Sequence, residues 1–259
     1  MSGKEATVYL VRCGNDIRCA KVYKDVAARS FKKAVQYQEG RKGRNSRRQR
    51  AMEKKSSFGR EEQEKAWQTA EVDALYRLRE AGVRVPEPYG FFDGVLLMEL
   101  ITDETGEVAP RLNDTVIPME RVLSDHKTMM HYVLRMLCVG LVHGDLSEFN
   151  VLMATDGPVI IDLPQAVDAA GNNNAPTMLA RDVANITRYY AQYAPELSQT
   201  RYAEELWALY EAGALHPDMQ LTGKYTRDER DADVDSVLRQ IEDAFTEEMA
   251  RRARMADAD

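Results

Sequence analysis

The chain has 259 residues, 44% of them apolar and 30% charged, with a formal net charge of −7, which fits a soluble globular protein of one large domain or two lobes and excludes a disordered or fibrous one. Its longest apolar runs, residues 94–101 and 158–163, fall far short of the about 20 residues a membrane-spanning helix needs, so no membrane partner is expected. The start MSGKEATVY lacks a secretory pattern, and three scattered cysteines (Cys13, Cys19, Cys138) suit a reducing compartment, so a cytoplasmic location is expected.

Residues 7–23, TVYLVRCGNDIRCAKVY, read as two β-rich runs joined at Gly14-Asn15-Asp16, with Cys19 and Lys21 on one face of the second strand because side chains alternate. Residues 29–60 carry twelve Lys or Arg against Glu39 and Glu53, in a segment too poor in aliphatics to bury itself. Between 61 and 80, Trp67, Ala70, Ala74, Leu75 and Leu78 recur at helical spacing and Gly82 follows as a stop. A Pro-interrupted approach, a turn at Asp93-Gly94 and an apolar strand ending near Glu99 come next, then a polar loop at 102–115. Helices are expected at 118–140 (one or two), 177–193, 199–212 and 231–254, the last with a continuous stripe of Val234, Leu238, Ile241, Phe245 and Met249. The order is α+β: a small strand-rich N-terminal part with one long helix, then a mostly helical part.

The stretch LVHGDLSEFNVLMATDGPVIIDLPQ, residues 141–165, places Asp145, Asn150 and Asp162 around a hairpin that turns at Asp156-Gly157. Phosphoryl transfer from ATP asks for little covalent help; it needs a carboxylate near the acceptor hydroxyl and hard oxygen ligands for the metal on the phosphates. Asp145 fits the first role, Asn150 and Asp162 the second. Single Asp or Asn residues in loops are usually turn formers, but the set in this context reads as one site. His143 reads as a structural histidine bonding the loop. Lys21 on its strand and Glu71 on its helix are a candidate pair for anchoring the phosphates.

Taken together, SGKEATVY, CAKVYK, the helix with Trp67 and Glu71, VRVPEPYG, LLMEL, LVHGDLSEFN and IIDLPQAVD resemble the RIO family of atypical serine/threonine protein kinases, from Ser2 to about Tyr190. The basic EGRKGRNSRRQRAM stretch is most similar to bacterial members. The resemblance implies a two-lobed protein-kinase-like fold, with a small antiparallel β-sheet N-lobe at 1–98 and a helical C-lobe at 99–259, hinged at 98–101. It implies Asp145 as catalytic aspartate, Asn150 and Asp162 as ligands for Mg²⁺ (Mn²⁺ as an alternative), and Lys21 with Glu71 as the phosphate-anchoring pair. Ser2, Gly3 and Lys4 would cover the phosphates, the backbone of Glu99 and Leu100 with the Met98 side chain would line the adenine pocket, and Cys19 would face the adenine. Ser2-Gly3-Lys4 directly follows Met1, where kinase folds enter the phosphate loop from a strand. A trimmed or strandless start with weaker ATP affinity is the expectation.

There is no Gly-x-Gly-x-x-Gly and no Asp-Phe-Gly, since Leu163-Pro164-Gln165 follows Asp162. Only AVDAAGNNNAPT separates that motif from the next helix, too little for a peptide-docking segment, and Ala194-Pro195-Glu196 reads as a helix exit. The expected activity is a Mg-ATP-dependent protein kinase that autophosphorylates, with itself in trans as a candidate substrate and a link to ribosome assembly. An ATPase switch on ribosomal particles and a non-catalytic module binding ribosomal RNA through residues 29–60 are the alternatives. Aminoglycoside and lipopolysaccharide-core phosphotransferases share the HGD, N and D pattern and are a further rival.

Overall fold

In the computed structural model the described residues are 6–23 and 57–226, with side chains from Thr69 onward in the second stretch. The expectations for Ser2, Gly3 and Lys4, for nearly all of 29–60 and for the helix at 231–254 lie outside the described residues. The chain divides into two compact units, Met1–Lys224 and Tyr225–Asp259, and every described element belongs to the first.

Strands β1 (Ala6–Cys13) and β2 (Asp16–Tyr23) form the expected hairpin. Gly14 supplies the positive φ, 65°, that its two-residue turn needs. A second hairpin joins β3 (Pro88–Phe92) and β4 (Val95–Glu99) through Asp93 and Gly94, both at positive φ (47° and 79°), the signature of a primed turn. The four strands make one antiparallel sheet in the order β1-β2-β4-β3. Helix α1 (Ser57–Glu80) begins earlier than periodicity indicated and ends where expected, with Gly82 at φ 74° just beyond it.

Residues 118–140 form one helix, α2 (Met119–Cys138), whose buried Val122, Met129, Met130, Val133, Leu134 and Leu137 follow the helical period. Helices α3 (Ala175–Tyr190) and α4 (Tyr202–Glu211) pack on it, separated by a 3₁₀ turn at Pro195–Gln199. Three short pairings fill the space between: β5 (Leu141–Val142) with β8 (Val167–Asp168), β6 (Val151–Ala154) with β7 (Gly157–Ile160), and a bridge of Thr102 with Val108 inside the stretch read as a loop. One continuous core runs from Leu78 and Leu96 through Leu134, Leu146 and Ile160 to Tyr190. Truncating a fully buried member such as Leu134 to Ala costs about 2–5 kcal/mol. Among the described residues no helix is long and apolar enough to cross a membrane.

Candidate active site

On β2 Cys19, Ala20 and Lys21 are all buried, and the ladder partners of Cys19 and Lys21 are Met98 and Leu96 of β4. Directly paired residues of an antiparallel ladder share a face, so Cys19, Lys21, Leu96 and Met98 line one side of the sheet. Glu71 arrives from α1 in the same stripe as Ala74, Leu75 and Leu78, where a carboxylate 3% exposed demands a partner. It has two: Lys21 Nζ donates to Oε1 at 2.6 Å and the Tyr23 hydroxyl to Oε2 at 2.6 Å.

Lys21 Nζ also donates to Asp162 Oδ1 at 3.2 Å, joining the sheet to the 141–165 stretch. Burial alone would push the Lys21 ammonium down, but the charges and hydrogen bonds of Glu71 and Asp162 outweigh it, and the net shift is upward. Lys21 therefore stays charged. Asp162 sits at φ 67°, uncommon for any residue but glycine, and directly follows the β6–β7 hairpin.

Asp145 and Asn150 are positioned as one unit. The Asn150 amide donates to the Asp145 carbonyl at 2.9 Å, and the Asn150 carbonyl accepts from Ile161 N–H at 3.0 Å. His143, 2% exposed, accepts from Asp145 N–H on Nδ1 at 3.3 Å, which assigns the ring proton to Nε2 for donation to the Ile161 carbonyl at 3.1 Å. The histidine thus ties the Asp145 loop to the residue before Asp162.

Sequence reasoning missed Asp182, the residue that holds this loop from beneath. Its two carboxylate oxygens accept from Gly144 N–H at 2.7 Å and Leu146 N–H at 2.9 Å, while Arg181 donates to the Gly144 carbonyl and Asn185 to that of Leu146 at 3.0 Å. Burial, opposed by His143 and the two backbone donors, pushes the Asp182 carboxyl up to about 6. The signal was available: Asp182 falls in the apolar stripe of α3 with Met178, Leu179 and Ile186, as Glu71 does in α1. Tyr23 had no such mark.

Glu99, expected in the adenine pocket through its backbone, sends its side chain elsewhere. Arg84 grips it with two bonds of 2.8 Å and reaches Asp156 at 2.9 Å, and Glu99 N–H is held by the Glu87 carbonyl at 2.8 Å. Burial would raise the Glu99 carboxyl, but Arg84 and the Glu87 amide bring it below the usual range, and the Arg84 guanidinium is raised.

The donor set suits Mg²⁺. With the Asn150 NH₂ turned to the Asp145 carbonyl, its Oδ1 is the end left to meet a cation, and Asp162 has Oδ2 beyond the oxygen held by Lys21. Two hard oxygens with phosphate and water completing the shell is how Mg²⁺ is commonly held. Among the described residues no cluster of three or more His, Cys, Asp or Glu forms a closed metal cage.

An antiparallel sheet carrying a buried Lys–Glu pair, joined to a helical part through an Asp, Asn and Asp constellation, defines a protein-kinase-like fold. Rio2 kinase from Chaetomium thermophilum, solved in an ADP/Mg²⁺-phosphoaspartate complex, superposes with TM-score 0.57 at 21% identity, covering 94% of this chain and 70% of that one. The family model for the RIO domain matches residues 7–204, and the chain belongs to the RIO domain family. The RIO-type serine/threonine-protein kinase Rio1 of Haloferax volcanii is 34% identical over 190 residues, 73% of this chain and 61% of that protein. Its counterpart in Thermoplasma acidophilum is 32% identical over 138 residues, 53% of this chain and 70% of that one. Human serine/threonine-protein kinase RIO1 is 30% identical over 206 residues, 77% of this chain but 34% of its own. The chain therefore spans under two thirds of the Haloferax relative and about a third of the human one.

Proposed function

We propose that this chain is a Mg-ATP-dependent serine/threonine protein kinase of the RIO type, able to phosphorylate itself. The observation that carries the reading is Lys21 Nζ held between Glu71 and Asp162 at 2.6 and 3.2 Å, a fixed cation beside a candidate metal ligand. In this reading Lys21 binds the ATP phosphates and Glu71 keeps it in place. Cys19, Met98 and the backbone of Glu99 and Leu100 enclose the adenine, with Ser2, Gly3 and Lys4 over the phosphates. Asn150 and Asp162 hold Mg²⁺, which would neutralise charge developing on the transferred group. Asp145 takes the proton of the attacking hydroxyl. The lobes are assigned to 1–98 and 99–259, hinged at 98–101.

A second reading, an ATPase switch, draws support from the ten residues between Pro164 and α3, 165–174, which offer little platform for a peptide. The basic residues 29–60, with Ser46, Ser56 and Ser57 among them, are proposed first as an autophosphorylated or substrate-gating segment and second as a contact for ribosomal RNA. A cytoplasmic site fits Cys13, Cys19 and Cys138, all free.

The test is incubation with Mg²⁺ and γ-labelled ATP beside Asp145→Ala. Acid-stable label on Ser or Thr that the variant loses supports the kinase; label only in free phosphate supports the ATPase; no turnover by the unaltered chain rejects both.

A further inference from the structure

Tyr23 has no part in the proposed mechanism, yet it is built into the site. It follows Lys21 by two positions on β2, so both side chains leave the same face of the sheet. Its ring packs edge-on against Phe91 of β3, with centroids 6.3 Å apart, and the Lys21 ammonium lies 5.5 Å from its centroid. The ring is thus braced, and its hydroxyl donates to Glu71 Oε2 at 2.6 Å while Lys21 Nζ donates to Oε1 at the same distance. Each of the two strand residues takes one oxygen of the helix carboxylate, so both ends of the buried Glu71 are satisfied.

The Lys21 ammonium has three N–H donors. One goes to Glu71 Oε1 and one to Asp162 Oδ1 at 3.2 Å, which leaves the third for a phosphate oxygen. A carboxylate has two acceptor oxygens. A bare Oε2 beside an ammonium would turn to take that third proton, because charge-assisted bonds are the strong ones. With the Tyr23 hydroxyl on Oε2, Glu71 meets Lys21 through a single oxygen.

We infer that Tyr23 is a positioning residue for the phosphate-anchoring pair: it occupies the second oxygen of Glu71 and so keeps a Lys21 proton available to the nucleotide. The inference rests on the reading of Lys21 as the group that meets the ATP phosphates. Two effects of the hydroxyl act in the same direction. It bars the carboxylate from gripping the ammonium twice, and by donating to Glu71 it lowers the carboxylate's own appetite for a proton, hence its competition with phosphate for Lys21. Adenosine has no phosphate for Lys21 to meet, so the hydroxyl matters to the nucleotide and not to the nucleoside.

Titration calorimetry with adenosine and with ADP, both in Mg²⁺, is to be run on the full chain and on Tyr23→Phe, which keeps the ring, its Phe91 contact and its place beside Lys21. ADP affinity is expected to fall about tenfold in the variant while adenosine affinity stays within about twofold. Tyr23→Met also lacks the donor, gives the same split, and takes the place of the phenylalanine variant should that not fold. A parallel loss of both ligands, as a merely structural hydroxyl would have it, overturns the inference. So does an ADP affinity that the substitution leaves unchanged or raises. The unaltered chain tests the reading beneath: if it binds adenosine but not ADP, Lys21 is not the phosphate anchor, and if it binds neither, the cleft is not a nucleotide site. Either result removes the inference along with that reading.

Discussion

Asp182 makes no hydrogen bond to Asp145, yet its two carboxylate oxygens take the backbone N–H groups on either side of it, those of Gly144 and Leu146, at 2.7 and 2.9 Å. Asparagine at this place keeps one acceptor and turns an NH₂ against the other N–H. Asp182→Asn is therefore expected to lower kcat by about 10- to 100-fold through a displaced Asp145. KM for ATP should change little, because Lys21 and Glu71 lie outside this network. Steady-state kinetics separate the two; a rise in KM with kcat intact would reject the positioning role.

Two buried groups titrate in opposite senses. Burial lowers His126 to about 4, where it meets Thr187 Oγ1 at 3.1 Å, while Asp182 is raised to about 6. Between roughly pH 4 and 6 the unfolded chain binds more protons at His126, so that group's contribution to stability grows with pH; at Asp182 the folded chain binds more, so its contribution shrinks as pH rises. The two offset. Asp182→Asn should leave a stability that falls on acidification from pH 6.5 to 4.5, and His126→Gln one that falls on going the other way. Urea midpoints at the two pH values check the sign of each.

Glu71 accepts from both Lys21 and Tyr23. Removing its charge leaves a buried ammonium with Asp162 as its remaining carboxylate partner among the described residues. Glu71→Gln is expected to cost about 2–3 kcal/mol of stability, less than a wholly orphaned charge would. Tyr23→Phe should cost about 1 kcal/mol. Since both bonds end on Glu71, the double variant should lose less than the sum. Denaturant titration of the three proteins measures the difference.

If Asn150 and Asp162 hold the metal, nucleotide affinity should depend on Mg²⁺ in the unaltered chain and lose that dependence in Asp162→Asn. Asn150→Ala should keep part of it. Calorimetric titration with ADP, in Mg²⁺ and then in EDTA, is the measurement; equal Mg²⁺ dependence in all three proteins would remove both residues from the metal site.

The legible parts of the molecule were those whose signals are local. Alternation placed Cys19 and Lys21 on one face of a strand, and paired turn residues marked both the 14–15 and 93–94 hairpins. Asp145, Asn150 and Asp162 stood close enough in sequence for their spacing to speak. Asp182 and Tyr23 did not, because each acts across 36 to 48 positions; Tyr23 carries no mark of its own, and that of Asp182 shows only against the apolar stripe of its helix. The Arg84 grip on Glu99 was hidden for the same reason, since an arginine before a Val-Pro pair looks like solvated surface. A titratable residue inside a helix's apolar stripe is the sign that recovers Asp182 and Glu71, and it also flags Asp125 and His126 of α2.

Arg84 does more than neutralise Glu99. Its guanidinium clasps the end of β4 and the β6–β7 turn at Asp156, and its own carbonyl accepts from Ile160 N–H at 2.9 Å, two positions before Asp162. The strand leading to the proposed hinge and the strand before the proposed metal ligand are thus joined through one residue, by its side chain and its backbone. Should the chain hinge at 98–101 as proposed, a bend at Glu99 would pull on Asp156 through Arg84, and the proposed lobes and the position of Asp162 would not be set independently while that arginine is in place.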